Sequence, residues 1–262
     1  QTIHVGDCEL LERYLDSKVI ADGPTSKWRT RTNRSLGEGM NASATWPNQY
    51  APLMPYMPVP GNTECIAGWR GLSPLALNPH FGTAPGISPA DQAATEWTHW
   101  ADLVNIYGED ETGFARSPWS NVGVQYGLEA LRDGAITTAE FLDLNANVGS
   151  WKDSKDMVQE GCPYIAAACP SSIDVWSARN MHLSPDGGAT PAARRAGDLQ
   201  AGYAAYGSGM VFRGKIDIPL IDWRNYLERR LDMHNSHQSF ATRQRLLDYD
   251  GDASNQVVWF TD

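Results

Sequence analysis

The apolar and polar positions of this chain change rhythm along its length. Near the start one helix-like run, CELLERYL, stands out, and residues 22–87 then turn rich in Gly, Pro, Asn, Ser and Trp. Within them WPNQYAPLMPYMPVPGN holds five prolines in seventeen residues, which excludes regular helix or a central strand there. A helical block follows. Ser88-Pro89-Ala90-Asp91 supplies an N-cap serine, a proline at the first helical position and an early acid, and ATEWTHWADLVNIYG then runs to a glycine stop. Further helices are predicted over SNVGVQYGLEALRDG, over EFLDLNANVG behind a Thr137–Glu140 capping box, and over PAARRAGDLQAGYAAYG.

The last fifty residues read differently. KIDIPLIDW and QVVWF are continuous apolar runs, and the segment from Ser236 to about Leu247 between them has helical character. Strand, helix, strand predicts a βαβ unit with parallel pairing, and unbroken apolar runs predict a sheet covered on both faces. Two strands do not make such a sheet. Either another polypeptide completes it, or strands lie unrecognised within residues 22–87.

Composition narrows the class. The chain is 42% apolar and 20% charged, with 10 Trp and 10 Tyr, as in a folded protein. A net charge of -10 without a basic block argues against a nucleic-acid partner. No apolar run is long enough to cross a bilayer, and the start QTIHVGDCELLERYLD lacks the form of a signal peptide. Because it begins with Gln, the chain is expected to be a processed or excised product. Cys8, Cys65, Cys162 and Cys169 form an even set without a CxxC pair, which fits two disulfides in a secreted or periplasmic protein. Cys162 and Cys169 would be natural partners across their short loop, with Cys8 joined to Cys65 or to another chain; four buried free thiols is the alternative.

Candidate chemistry concentrates in RLDMHNSHQSF, residues 230–240. Asp232, His234 and His237 have a spacing open to a metal, but no H-E-x-x-H pattern is present, and Asn235 or Ser236 can simply cap the following helix. Position says more than spacing. Asp232 lies beyond the strand IPLIDW, at the end of the sheet where open α/β folds place their ligands.

The segments GDCELLERY, SNVGVQYGLEAL with ITTAEFLDLNANVG, and IPLIDWRNYLERRLDMHNSHQSFATRQRLL resemble a secreted bacterial family of unknown function. That family is distantly similar to the tannase and feruloyl-esterase branch of the α/β hydrolases. The resemblance implies an α/β fold in which residues 1–21 are a connecting helix, 22–210 a loop- and helix-rich lid, and 211–262 the C-terminal strand-helix-strand part of the hydrolase core. It also implies a Ser-His-Asp esterase, or less readily an amidase, with Asp232 as the triad acid, Asp222 second, and His234 or His237 as the base. No G-x-S-x-G occurs, so the serine nucleophile would come from an N-terminal chain of the same precursor, and the triad histidine is open to lying outside this sequence too.

Trp46, Tyr50, Trp69 and Trp119 are candidate substrate-binding residues of the lid, although loop aromatics also serve to anchor loops to a core. DYDGDASNQ lacks the EF-hand spacing and reads as an Asp-Gly turn, so no cofactor is expected and structural calcium is not favoured. The competing reading of the whole chain is a non-catalytic domain that binds carbohydrate or protein.

Overall fold

The structure is a computed structural model that describes residues 2–38, 77–79, 88, 90–91, 94, 98–158, 178–226 and 236–261. Its first helix, α1 (Thr2–Asp22), is buried on every side from residue 8 to residue 16. Such a helix shows no amphipathic stripe, and its charged residues have to be paired. Arg13 Nη2 donates to Glu9 Oε1 at 3.0 Å. Arg34, from α2 (Arg31–Glu38), bonds both Glu12 and Asp16, the latter at 2.8 Å, and its Nε donates to the Trp28 carbonyl at 2.8 Å. Leu10, Leu11, Tyr14, Leu15 and Val19 of α1 share one core cluster with Trp28, Trp100, Trp119, Trp151 and Leu144. Five residues of α1 thus run through that cluster.

Ser88 accepts a bond from the Asp91 N–H at 3.1 Å, as its capping position predicts. Two short helices follow, α3 (His99–Asp102), capped by Thr98, and α4 (Val104–Tyr107), which stops at Gly108. The helix predicted over residues 120–134 is reduced to α5 (Leu128–Arg132). Gly123 and Gly127 take φ of 86° and 75°, values that a right-handed helix cannot contain. The Asn145 side chain also holds the Tyr126 backbone, accepting from its N–H at 2.9 Å and donating to its carbonyl at 2.9 Å.

The capping box at Thr137 and Glu140 opens α6 (Thr138–Asn147). From it the chain passes directly into β1 (Val148–Trp151), which pairs antiparallel with β2 (Met181–Leu183). Residues 191–198 do not join the next helix, α7 (Leu199–Gly207). The fully buried Asn121 side chain accepts from the Arg195 N–H at 2.9 Å and donates to the Gly149 carbonyl at 2.8 Å, holding that segment beside β1. Asp198 caps α7 through the Ala201 N–H at 2.9 Å.

The C-terminal unit comprises β3 (Leu220–Asn225), α8 (His237–Asp250) and β4 (Gln256–Thr261), and its two strands pair in parallel from Leu220↔Gln256 to Asn225↔Thr261. Alternation gives each strand two faces. On one, Phe260 stacks on Phe240 of α8 with ring centroids 6.1 Å apart, while Arg243 of α8 donates to the carbonyls of Ala253 and Gln256 at 3.2 and 3.1 Å. The other carries the cross-strand pairs Ile221↔Val257 and Trp223↔Trp259, whose members are 66% and 46%, and 72% and 54%, exposed. Gly251, at φ 72°, ends α8, and Asp252 accepts the Ser254 N–H at 3.0 Å, so DYDGDASNQ forms a helix stop and a turn.

Candidate functional site

The strand-helix-strand unit carries most of the chemistry anticipated from sequence. The connection from β3 to α8 leaves the C-terminal end of β3, and its residues 227–235, among them Asp232 and His234, lie outside the described residues. His237 is the first residue of α8 and is exposed. Ser236 precedes it; its carbonyl accepts from the Ser239 N–H at 3.0 Å, and its side chain makes no cap bond. Asp222 lies inside β3, half-buried, with its Oδ1 3.3 Å from Arg224 Nε. Of the proposed substrate-binding aromatics, Trp46, Tyr50 and Trp69 are outside the described residues. Trp119 is only 3% exposed and sits in the core, its indole nitrogen turned, with that of Trp151, toward Gly6. Among the described residues no group of three His, Cys, Asp or Glu side chains is placed to hold a metal ion.

A second concentration of titratable groups surrounds a cleft of about 450 Å³ between α1, the end of α2 and the segment leading into α5. Leu11, Gly37 and Tyr126 form its buried floor, and the half-buried Asp7 and Glu38 stand in its walls. A bond from the Gly127 N–H to the Gly37 carbonyl, 2.9 Å, joins the two sides. Burial pushes the Asp7 carboxyl up to about 6, against the opposing effects of the Tyr126 hydroxyl, which donates to Asp7 Oδ1 at 3.4 Å, and of Arg194. The Arg194 guanidinium lies over the Tyr126 ring, 4.8 Å from its centroid. Burial and the neighbouring Asp7 charge raise the Tyr126 hydroxyl in turn.

Behind Glu38 lies Glu12, fully buried. Burial first, and then the Glu38 charge, raise the Glu12 carboxyl well above its usual range, against the effect of the Arg34 guanidinium. Asp7, in the cleft wall, exchanges its proton at about pH 6.

The sequence reading missed this site. Its signal was the run GDCELLERYLD, in which carboxylates at residues 7, 9, 12 and 16 are spread around a helix among leucines, leaving no polar face for solvent.

A family model described as a tannase-like family of unknown function (DUF6351) matches residues 1–262. No curated protein and no solved structure matches the chain at a significant level.

Proposed function

The chain belongs to this tannase-like family of unknown function, and from that premise we propose that it is part of an esterase-type hydrolase. In this reading residues 211–262 are the late portion of an α/β sheet, and the serine nucleophile is carried by a polypeptide segment outside residues 1–262. The triad acid is Asp232, on the connection that leaves the C-terminal end of β3, where open α/β sheets bind their ligands. The base is His234, with His237 second.

The serine oxygen attacks the ester carbonyl carbon while the histidine takes the hydroxyl proton and then delivers it to the departing alcohol. Water repeats the sequence on the acyl-serine, releasing the acid and restoring the serine. Asp232 would orient the imidazole and stabilise its positive form.

One observation carries the reading. The sheet of β3 and β4 is parallel, α8 covers one face, and the opposite face shows two tryptophans, Trp223 and Trp259, to solvent. Parallel sheets are covered on both faces, and two strands alone are marginal in water. The pattern fits a fragment of a larger sheet whose remaining strands and covering helix come from the rest of the hydrolase. Export to an oxidising compartment belongs to the same reading, and the even set Cys8, Cys65, Cys162 and Cys169 supports it.

The test is to label the native assembly with a fluorophosphonate and to measure its ester turnover. The expected result is label on a serine outside this chain, with Asp232→Asn lowering turnover by several powers of ten in a folded assembly. Near-normal turnover in that variant removes Asp232 from the mechanism. A lone, unlabelled 28.8 kDa species overturns the hydrolase reading in favour of a binding domain.

A further inference from the structure

We propose that the start of α8, together with the buried hydroxyl of Ser239, binds a small oxyanion, a phosphate or carboxylate group, at the carboxyl ends of β3 and β4. Such binding does not depend on the acyl-transfer chemistry. The 14 residues of α8 begin without a capping side chain: Ser236 makes no side-chain cap bond, and the first turn holds no acidic residue. The Ser239 and Phe240 N–H groups turn back to the Ser236 carbonyl, at 3.0 and 3.3 Å, while the helix offers no acceptor to the Gln238 N–H. The side chains of its first turn therefore supply no negative charge to balance the partial positive charge of the helix start.

A second observation points to the same place. Ser239 is 1% exposed, and its Oγ has no hydrogen-bond partner among the described residues. Ser239, Arg243 and Leu246 lie on one stripe of α8, and that stripe faces the sheet: Leu246 is buried, and Arg243 donates to the carbonyls of Ala253 and Gln256, where β4 begins. Ser239 is one turn nearer the helix start. Phe260, near the end of β4, stacks on Phe240, so this first turn stands at the carboxyl ends of the strands. Because a helical Cα–Cβ bond tilts toward the N-terminus, the Ser239 hydroxyl is directed into the crevice between the first turn and those strand ends, where open α/β sheets bind ligands. On the same face of the sheet Arg224 is bonded to Asp222 at 3.3 Å, and that pair adds no net charge. A buried hydroxyl without a partner costs stability, and a helix start attracts negative charge. An oxyanion answers both, accepting from Ser239 Oγ and from the Gln238 N–H.

The experiment follows thermal unfolding of the 262-residue chain with inorganic phosphate and, separately, with acetate, at an ionic strength held constant with chloride. At least one anion is expected to stabilise the chain saturably, with half-saturation at about 1–10 mM, and the tighter of the two identifies the group. Ser239→Ala removes an unpaired buried group, so it should leave the ligand-free midpoint unchanged or higher, and it should weaken binding about tenfold. Gln238→Glu, at an exposed position, puts a negative charge at the helix start; it should raise the ligand-free midpoint and weaken binding by a similar factor. No saturable stabilisation by either anion up to about 50 mM, parent-like binding in Ser239→Ala, or a lowered ligand-free midpoint in that variant would overturn the proposal. The readout is binding alone, so loss of esterase activity cannot be mistaken for its failure.

Discussion

Asp7 supplies the most direct test of the electrostatics, because its carboxyl is held at about 6 in the folded chain against an ordinary value of 3.8. The folded state therefore binds the Asp7 proton more tightly than the unfolded state does. Below about pH 4 the group is protonated in both states and costs nothing. As pH rises from 4 to 6, the unfolded chain ionises first and stability falls; above 6 the loss is complete. At 1.36 kcal/mol per pKa unit the full penalty would be about 3 kcal/mol, and solvent contact on the half-buried side chain reduces it to about 1–2 kcal/mol. Asparagine is neutral at every pH and keeps an oxygen to accept from the Tyr126 hydroxyl. Asp7→Asn should therefore leave stability near pH 4 almost unchanged and raise it at pH 8. In urea unfolding the midpoint at pH 8 should rise by about 0.5 M, for a slope of about 3 kcal/mol per molar. A midpoint that falls at pH 8, or a difference between the proteins that does not vary with pH, refutes the reasoning.

Two further substitutions probe the buried framework. Arg34→Met leaves Glu12 and Asp16 buried without their guanidinium and should cost about 3–5 kcal/mol, read as a lowered denaturant midpoint; Arg34→Lys should recover only part, since one ammonium cannot serve both carboxylates and the Trp28 carbonyl. Gly214 has φ 98°, and a β-carbon there would collide with the Arg245 backbone carbonyl of α8. Gly214→Ala should cost about 2 kcal/mol or more and should lower amide-exchange protection in α8 while leaving that of α1 intact.

Local chemistry was legible in the sequence. The capping box at Thr137 and Glu140, the Ser88 cap, the Asp-Gly turn after α8 and the parallel β3–β4 pair follow from residue types at fixed short spacings, and they form as read. The two overlong helix predictions failed for a related reason. Nothing local says that Gly127 must adopt a left-handed conformation, or that the Asn121 side chain will hold residues 191–198 beside β1. Those outcomes depend on partners tens of residues away.

The functional picture divides along the same line. Sequence placed Asp232, His234 and His237 after a strand, because the order of elements fixes the end of the sheet at which a connection emerges. It could not show that Trp119 is core, that α1 is buried all round, or that Asp7, Glu38 and Tyr126 converge on one cleft. Burial is a property of packed elements, and it is the largest cause that raises the Asp7 and Glu12 carboxyls. What this sequence determined by itself is which groups are present and how each short segment turns; which of those groups meet, and in how little water, was decided by the tertiary structure.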